Sequence, residues 1–213
     1  MIRRILALLP AALLVTIVAA AATTAPAGSS HAAVHPAATN DIRNSPGYVP
    51  LVDPESTSVL LGRRTNAPLV SMPFKGGGMS LDDLGRRICR LFETKPKLDS
   101  LMKLTVSEDE FHQILWREFP QSRPVTGLTW EDGWRVLFPR LLNGCNSALF
   151  TNGGRSVQFL RFEVDSIARY RNFKLYNGVH LVVKNEVGQE ERQDWIRSIA
   201  ERKGRFKIYS TED

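Results

Sequence analysis

The stretch from residue 156 to residue 211 constrains the fold more than any other. Its apolar and polar residues alternate along most of its length, and two glycine turns divide it. Alternation with a period of two marks a strand that buries one face. Asn177-Gly178 supplies the positive φ angles of a two-residue turn, so residues 172–176 and 179–184 are expected to form a hairpin. Lys203-Gly204 is expected to join 195–202 to 205–211 in the same way. Counting across this second turn sets Ile199 opposite Ile208 and Glu201 opposite Phe206, with Trp195 on the same face and Arg197 and Ser210 sharing it. Counting across the first sets Phe173, Leu175, His180 and Val182 together, and leaves Val179, Leu181 and Val183 on the other side with Lys174. Both faces then come out partly apolar. Helices are expected on one, and a second copy of the chain, the tail around 59–70 or a further layer on the other. Residues 156–164 alternate as well, which makes about five antiparallel strands.

The residues before this sheet read as helices. Ser80 is a good N-cap with Asp83 three residues on, and Leu84, Ile88 and Leu91 recur on one face until Pro96. Leu98, Leu101, Met102 and Leu104 suggest a short second helix. Ser107 with Glu110 forms a capping box that opens a helix with Phe111, Ile114 and Leu115 as its buried stripe, and Trp116 points away from that stripe. Thr129 and Asp132 cap a further helix through Trp130, Trp134, Leu137, Phe138 and Leu141, in which Pro139 should introduce a kink and which Gly144 should close. Helices first and a sheet last is the order of an α+β layer fold.

Residues 1–22 open with Arg3 and Arg4, run apolar from Ile5 to Ala22, and reach small-residue sites at Ala20-Ala21-Ala22 and Ala25-Pro26-Ala27. That is the pattern of an export signal, which implies a secreted or periplasmic location. The competing reading is an uncleaved membrane anchor, since the run has about the length that spans a bilayer; the small-residue sites and Pro10 favour cleavage. Residues 23–78, rich in Ala, Pro, Ser and Gly, read as a disordered tail ending at the Gly76-Gly77-Gly78 hinge, leaving 79–213 as one folded domain. His31 and His35 stand four apart in this tail, but Pro36 argues against the helix that a metal pair would need, so no metal site is expected.

Charge excludes little. The chain carries 28 basic and 22 acidic side chains, and residues 155–213 carry 12 against 9, a mildly basic sheet without the concentrated basic face that nucleic-acid binding requires. Cys89 and Cys145 are the two cysteines, and in an exported chain such a pair tends to join. A bridge between them closes a 57-residue loop, worth roughly 4 kcal/mol on the chain-entropy model. The other reading is two buried free thiols.

The chain lacks a nucleophile elbow, a phosphate loop, a His-Glu-x-x-His motif and a dinucleotide fingerprint, so no cofactor is expected and enzymatic activity is disfavoured. His112 reads as a solvated helix position and His180 as a core-face histidine. Polar residues on an otherwise apolar face are the better clue: His180, Arg197, Glu201 and Ser210 are candidates to line a pocket between sheet and helices for a small ligand or protein partner. An internal ion pair of Arg197 with a carboxylate is the plainer account. Trp130 and Trp134, one helical turn apart near Arg123, are candidates for a stacking platform, although this spacing also suits a core.

Residues 195–211, WIRSIAERKGRFKIYST, resemble the last hairpin of NTF2-like domains (the SnoaL or cystatin-like cone), and residues 119–130, FPQSRPVTGLTW, are similar to uncharacterised exported bacterial proteins of related layout. The resemblance covers residues 79–213. It implies a kinked sheet wrapped around helices to form a pocket, and pairing of two copies through their sheets. An isomerase or hydrolase of that family carries an Asp/His or Tyr/Asp pair in the pocket. No residues here match that pair one by one, and His180 with Glu201 is the nearest combination.

Overall fold

The computed structural model describes residues 53–94 and 97–212, which belong to the compact unit Pro50–Asp213. The expected export signal, His31, His35 and Pro96 lie outside the described residues. As the sequence implies, helices precede a C-terminal five-stranded antiparallel sheet. The helices are α1 (Pro54–Leu60), α2 (Leu81–Glu93), α3 (Leu98–Met102), α4 (Glu108–Glu110) and α5 (Trp130–Asn152). The strands are β1 (Gln158–Arg169), β2 (Lys174–Lys184), β3 (Glu190–Gln193), β4 (Ile196–Arg202) and β5 (Arg205–Thr211). Among the described residues no helix is long and apolar enough to cross a membrane.

The sheet runs β1-β2-β4-β5, with β3 also paired to β2. The turn at Lys203-Gly204 forms as expected: both residues have positive φ, and Ile199 faces Ile208 while Glu201 faces Phe206. The expected hairpin at Asn177-Gly178 does not form. Gly178 sits inside the continuous strand β2 with φ +61°, and the next turn comes only at residues 185–189, beyond which β3 pairs back. Gly178 is needed there because an added Cβ would lie 2.0 Å from Asp165 Oδ2 on β1.

One consequence is the sorting of side chains. Without a turn the odd-numbered residues of β2 share a face, so Leu175, Val179, Leu181 and Val183, together with Phe173 just before the strand, join a single core with Leu84, Ile88 and Phe92 of α2. The opposite face over β1, β2 and β3 is ionic. Arg161 pairs Glu163 at 2.7 Å and Glu190 at 3.1 Å, and Arg192 pairs Asp194 at 3.2 Å. Val182 is covered between its cross-strand neighbours Arg161 and Arg192. Val179, Leu181 and Val183 therefore already have their cover within the chain, and a second copy is not required to bury them.

At the β4–β5 end both faces are covered, since the adjacent residues Ile199 and Ala200 are each fully buried. Residues 67–78, expected as the end of a disordered tail, are held against the sheet there. Ala67 and Phe74 are buried, and Gly78 exchanges backbone hydrogen bonds with Phe206 at 2.9 Å. The buried Arg202 donates to the carbonyls of Val70, Met72 and Asn172, and Asn172 accepts from the Val70 amide at 2.8 Å. Composition missed this strap because its partners, among them Asn172, Arg202 and the Phe206 backbone, lie far along the chain, which local pattern does not contain. Arg202→Met leaves those carbonyls without donors in a dry site, with an expected cost of at least about 2 kcal/mol. Urea denaturation measures the loss, and limited proteolysis should show new cleavage within 68–74.

Two helix ends also differ from expectation. α5 runs through Gly144 to Asn152. Gly144 marks a close approach instead of a stop: a Cβ there would lie 2.3 Å from both Cβ and Oγ1 of Thr211 on β5. After α4 the chain winds into a π turn over Phe111–Leu115, where the Trp116 amide donates to the Phe111 carbonyl. A regular α-helix would set residues five apart about 140° from each other. The wider winding brings Trp116 beside Phe111, with ring centroids 5.8 Å apart, so Trp116 is half-buried against the stripe it was expected to point away from.

Candidate functional site

The π turn, α5 and the end of β5 enclose an open cavity of about 760 Å³. Its apolar lining comes from Phe111, Trp116 and Phe119 on the π-turn side, Val136 and Leu137 on α5, and Tyr209 on β5. Phe119 fixes the floor, with ring centroids 6.5 Å from Phe111 and 5.6 Å from Tyr209. Burial, with a smaller contribution from Tyr170, raises the Tyr209 phenol well above its ordinary range, so this hydroxyl stays protonated.

Polar groups sit around the rim. Thr211 Oγ1 donates to the Arg140 carbonyl at 2.8 Å, and the Ser210 and Ser198 hydroxyls are 2.5 Å apart. Arg197 reaches Glu212 only at 3.9 Å, and both side chains are more than half exposed. The Asp132 carboxylate belongs to the helix cap. Hydrogen bonds from the Thr129 amide and hydroxyl hold its pKa below the usual value of 3.8.

Of the four residues expected to converge, the fold brings Arg197 and Ser210 to the cavity. Register shifts on both sides of Ser198 take Arg197 out of the ladder and deliver its guanidinium to the rim. His180 and Glu201 go elsewhere. Glu201 takes Lys174 at 2.7 Å across β2 and β4, a cross-strand pair whose lysine side chain is exposed. His180 lies on the ionic face, its Nδ1 2.6 Å from Asp194 Oδ1 and its Nε2 3.9 Å from Asp165 Oδ1. The hydrogen bond from His180 is the main cause of a lowered Asp194 pKa.

The expected aromatic platform is not assembled as one surface. Trp130 stacks on His112 at 4.2 Å, so His112 is half-buried and not simply solvated, while Trp134 packs against Phe111 and Phe138. Arg123 binds the carbonyls of Ser58 and Gly62, at 2.8 and 2.7 Å, tying the end of α1 to the loop before α5.

Cys89 and Cys145 are buried free thiols, and the expected bridge between them is absent. Cys145 lies within α5, not after it, because that helix does not end at Gly144. Burial pushes both thiols up to about 12, which rules out thiolate nucleophiles at neutral pH. A disulfide-exchange reagent should label neither in the native protein, and both once it is unfolded without reductant. A pair that stays unlabelled in denaturant would mean that the thiols are joined in solution. Among the described residues, no three His, Cys, Asp or Glu side chains gather to hold a metal ion.

The residues missed from sequence are Trp116, Phe119, Tyr209 and Arg140. The signal for the first was hidden by the π turn, and that for Tyr209 by its place in a strand whose neighbours read as core. Comparison with family models, curated proteins and solved structures finds no match for the chain.

Proposed function

We propose that the chain is an exported, non-enzymatic module that binds a small amphipathic ligand in the cleft between α5, the π turn and β5. The cavity carries this reading. Its 760 Å³ falls within the roughly 300–1,000 Å³ typical of small-molecule sites, and it sets an aromatic wall of Phe111, Trp116, Phe119 and Tyr209 against a polar rim that includes Arg140, Arg197 and Ser210, a lining suited to an amphipathic ligand. Arg197, loosely paired at the rim, suits an anionic group on a ring-bearing ligand. Export is supported by Arg3, Arg4 and the apolar run to Ala22. An NTF2-like layout is supported by a long, bulged β1–β2 pair with helices packed on its apolar face.

Anilinonaphthalene sulfonate, an aromatic anion, is a suitable probe. It should bind saturably at one site, with Val136→Trp filling the mouth and abolishing the signal and Arg197→Glu weakening it. Equal binding by wild type and Val136→Trp would place the probe elsewhere and remove the reading.

The His180–Asp194 contact supports a second reading, an isomerase or hydrolase with His180 as a base oriented by a carboxylate. None of the cavities described is lined by His180, so the binding reading is preferred. Turnover of a screened substrate that His180→Ala abolishes and Val136→Trp spares would reverse that preference.

A further inference from the structure

A second, smaller cavity of about 200 Å³ lies behind the Phe119–Tyr170 ring contact, where the chain after α1 meets the β1–β2 connection. Four arginines line it: Arg63, Arg64, Arg169 and Arg171. The floor carboxylate, Glu118, is buried, and its two oxygens accept the Arg171 and Asn172 amides at 2.5 and 2.6 Å. Arg64 is anchored to Ser122, and Arg171 to the Ala67 carbonyl at 2.8 Å. Among the described residues, Arg63 and Arg169 have no carboxylate partner, although both face this cavity. Arg63 also lies close enough to the Tyr170 hydroxyl to oppose the rise in its pKa.

Four arginines around a single committed carboxylate leave an excess of positive charge at this cavity, which a bound anion would offset. From the size of the cavity and the number of arginines around it we infer that this is a binding site for a phosphomonoester group, whether on a soluble molecule or on a lipid headgroup. Several guanidinium forks can share the oxygens of a tetrahedral dianion, which a single carboxylate, with two, cannot offer. Arg64 and Arg171 are pre-set by backbone contacts, and Arg63 and Arg169, exposed and without a carboxylate partner, are free to close on the ligand. The site is separate from the α5–β5 cleft, and its test is independent of the ligand proposed there.

The full-length protein is titrated at low ionic strength with inorganic phosphate, followed by amide NMR. Vesicles of phosphatidylcholine with and without phosphatidic acid form the second arm, the undoped vesicles controlling for insertion of the apolar run at residues 5–22. Saturable shifts at residues 63–65 and 169–171 are expected, weakened by added salt. Affinity should fall about tenfold or more in Arg63→Glu/Arg169→Glu. If phosphate gives this result the ligand is soluble; if only phosphatidic acid vesicles give it, the ligand is a headgroup. No binding in either arm, or equal binding by the variant, overturns the inference. A urea midpoint matching wild type verifies that the variant is folded, and Arg63→Gln/Arg169→Gln replaces it should the charge reversal unfold the chain.

Discussion

Lys207→Met should destabilise the domain by about 3–5 kcal/mol, the usual result of removing one partner from a buried ion pair. Lys207 Nζ is 2.7 Å from Glu110 Oε2, and the two side chains are only 4% and 1% exposed. Glu110 also accepts the Lys75 amide at 2.6 Å and the Ser107 amide at 2.8 Å. One carboxylate thus joins β5, the strap and the start of α4, and without Lys207 its charge remains in a dry site. Glu110→Gln/Lys207→Met should recover much of the loss, since no unpaired charge is left. Urea denaturation of the single and double variants measures both. A single-variant cost below about 1 kcal/mol, the level of a solvated pair, would mean that water reaches Glu110.

Gly144→Val is expected to cost about 2 kcal/mol or more. Two effects oppose each other: replacing glycine inside a helix gains up to about 1 kcal/mol, while forcing atoms into a closed contact costs about 1–3 kcal/mol and occasionally more. Overpacking wins because the first added carbon already meets Thr211 at 2.3 Å and the Glu212 carbonyl oxygen at 3.0 Å. Thr211 cannot swing away without losing its hydrogen bond to the Arg140 carbonyl. The effects of Gly144→Ala and Thr211→Ala should therefore be non-additive, with the pair costing less than the sum of the singles. Additive costs would contradict the close approach of α5 to β5.

Features written in neighbouring residues were legible. Ser80 with Asp83, Ser107 with Glu110 and Thr129 with Asp132 cap their helices as read, because a cap is a hydrogen bond between residues three apart. The register of the last hairpin, as far as Ile199, followed from its two-residue turn in the same way. Asn177-Gly178 misled because the same dipeptide serves a turn and a close strand crossing, and only Asp165 on β1 distinguishes them. Its effect spread: one false turn inverts the side-chain parity of the following strand, which made β2 look apolar on both faces and set His180 in the core.

The site was half legible for the same reason. Ser210 was read as opposite Arg197 but pairs Ser198, because the register counted from the turn holds only as far as Ile199, whereas His180 was placed from the false turn. Arg197 reached the cavity through a bulge that no local pattern announced. Gly144 and Cys145 were misread together, since a glycine that admits a neighbouring strand looks in sequence like one that ends a helix. The strap at 67–78 and the arginine cluster each depend on contacts between distant segments, which the sequence does not display.

The four tryptophans occupy distinct surroundings, so their indole N–H signals locate a ligand residue by residue. Trp116 lines the α5–β5 cleft, Trp130 stacks on His112, Trp134 packs on Phe138, and Trp195 meets Phe92 edge-on at 6.2 Å. With signals assigned by single Trp→Phe variants, titration with anilinonaphthalene sulfonate should move Trp116 and the amides of residues 209–211 along one saturating curve and leave Trp195 in place. An unmoved Trp116, with saturable shifts at His180 and Asp194 instead, would contradict ligand binding in the cleft and move the site to the ionic face of the sheet.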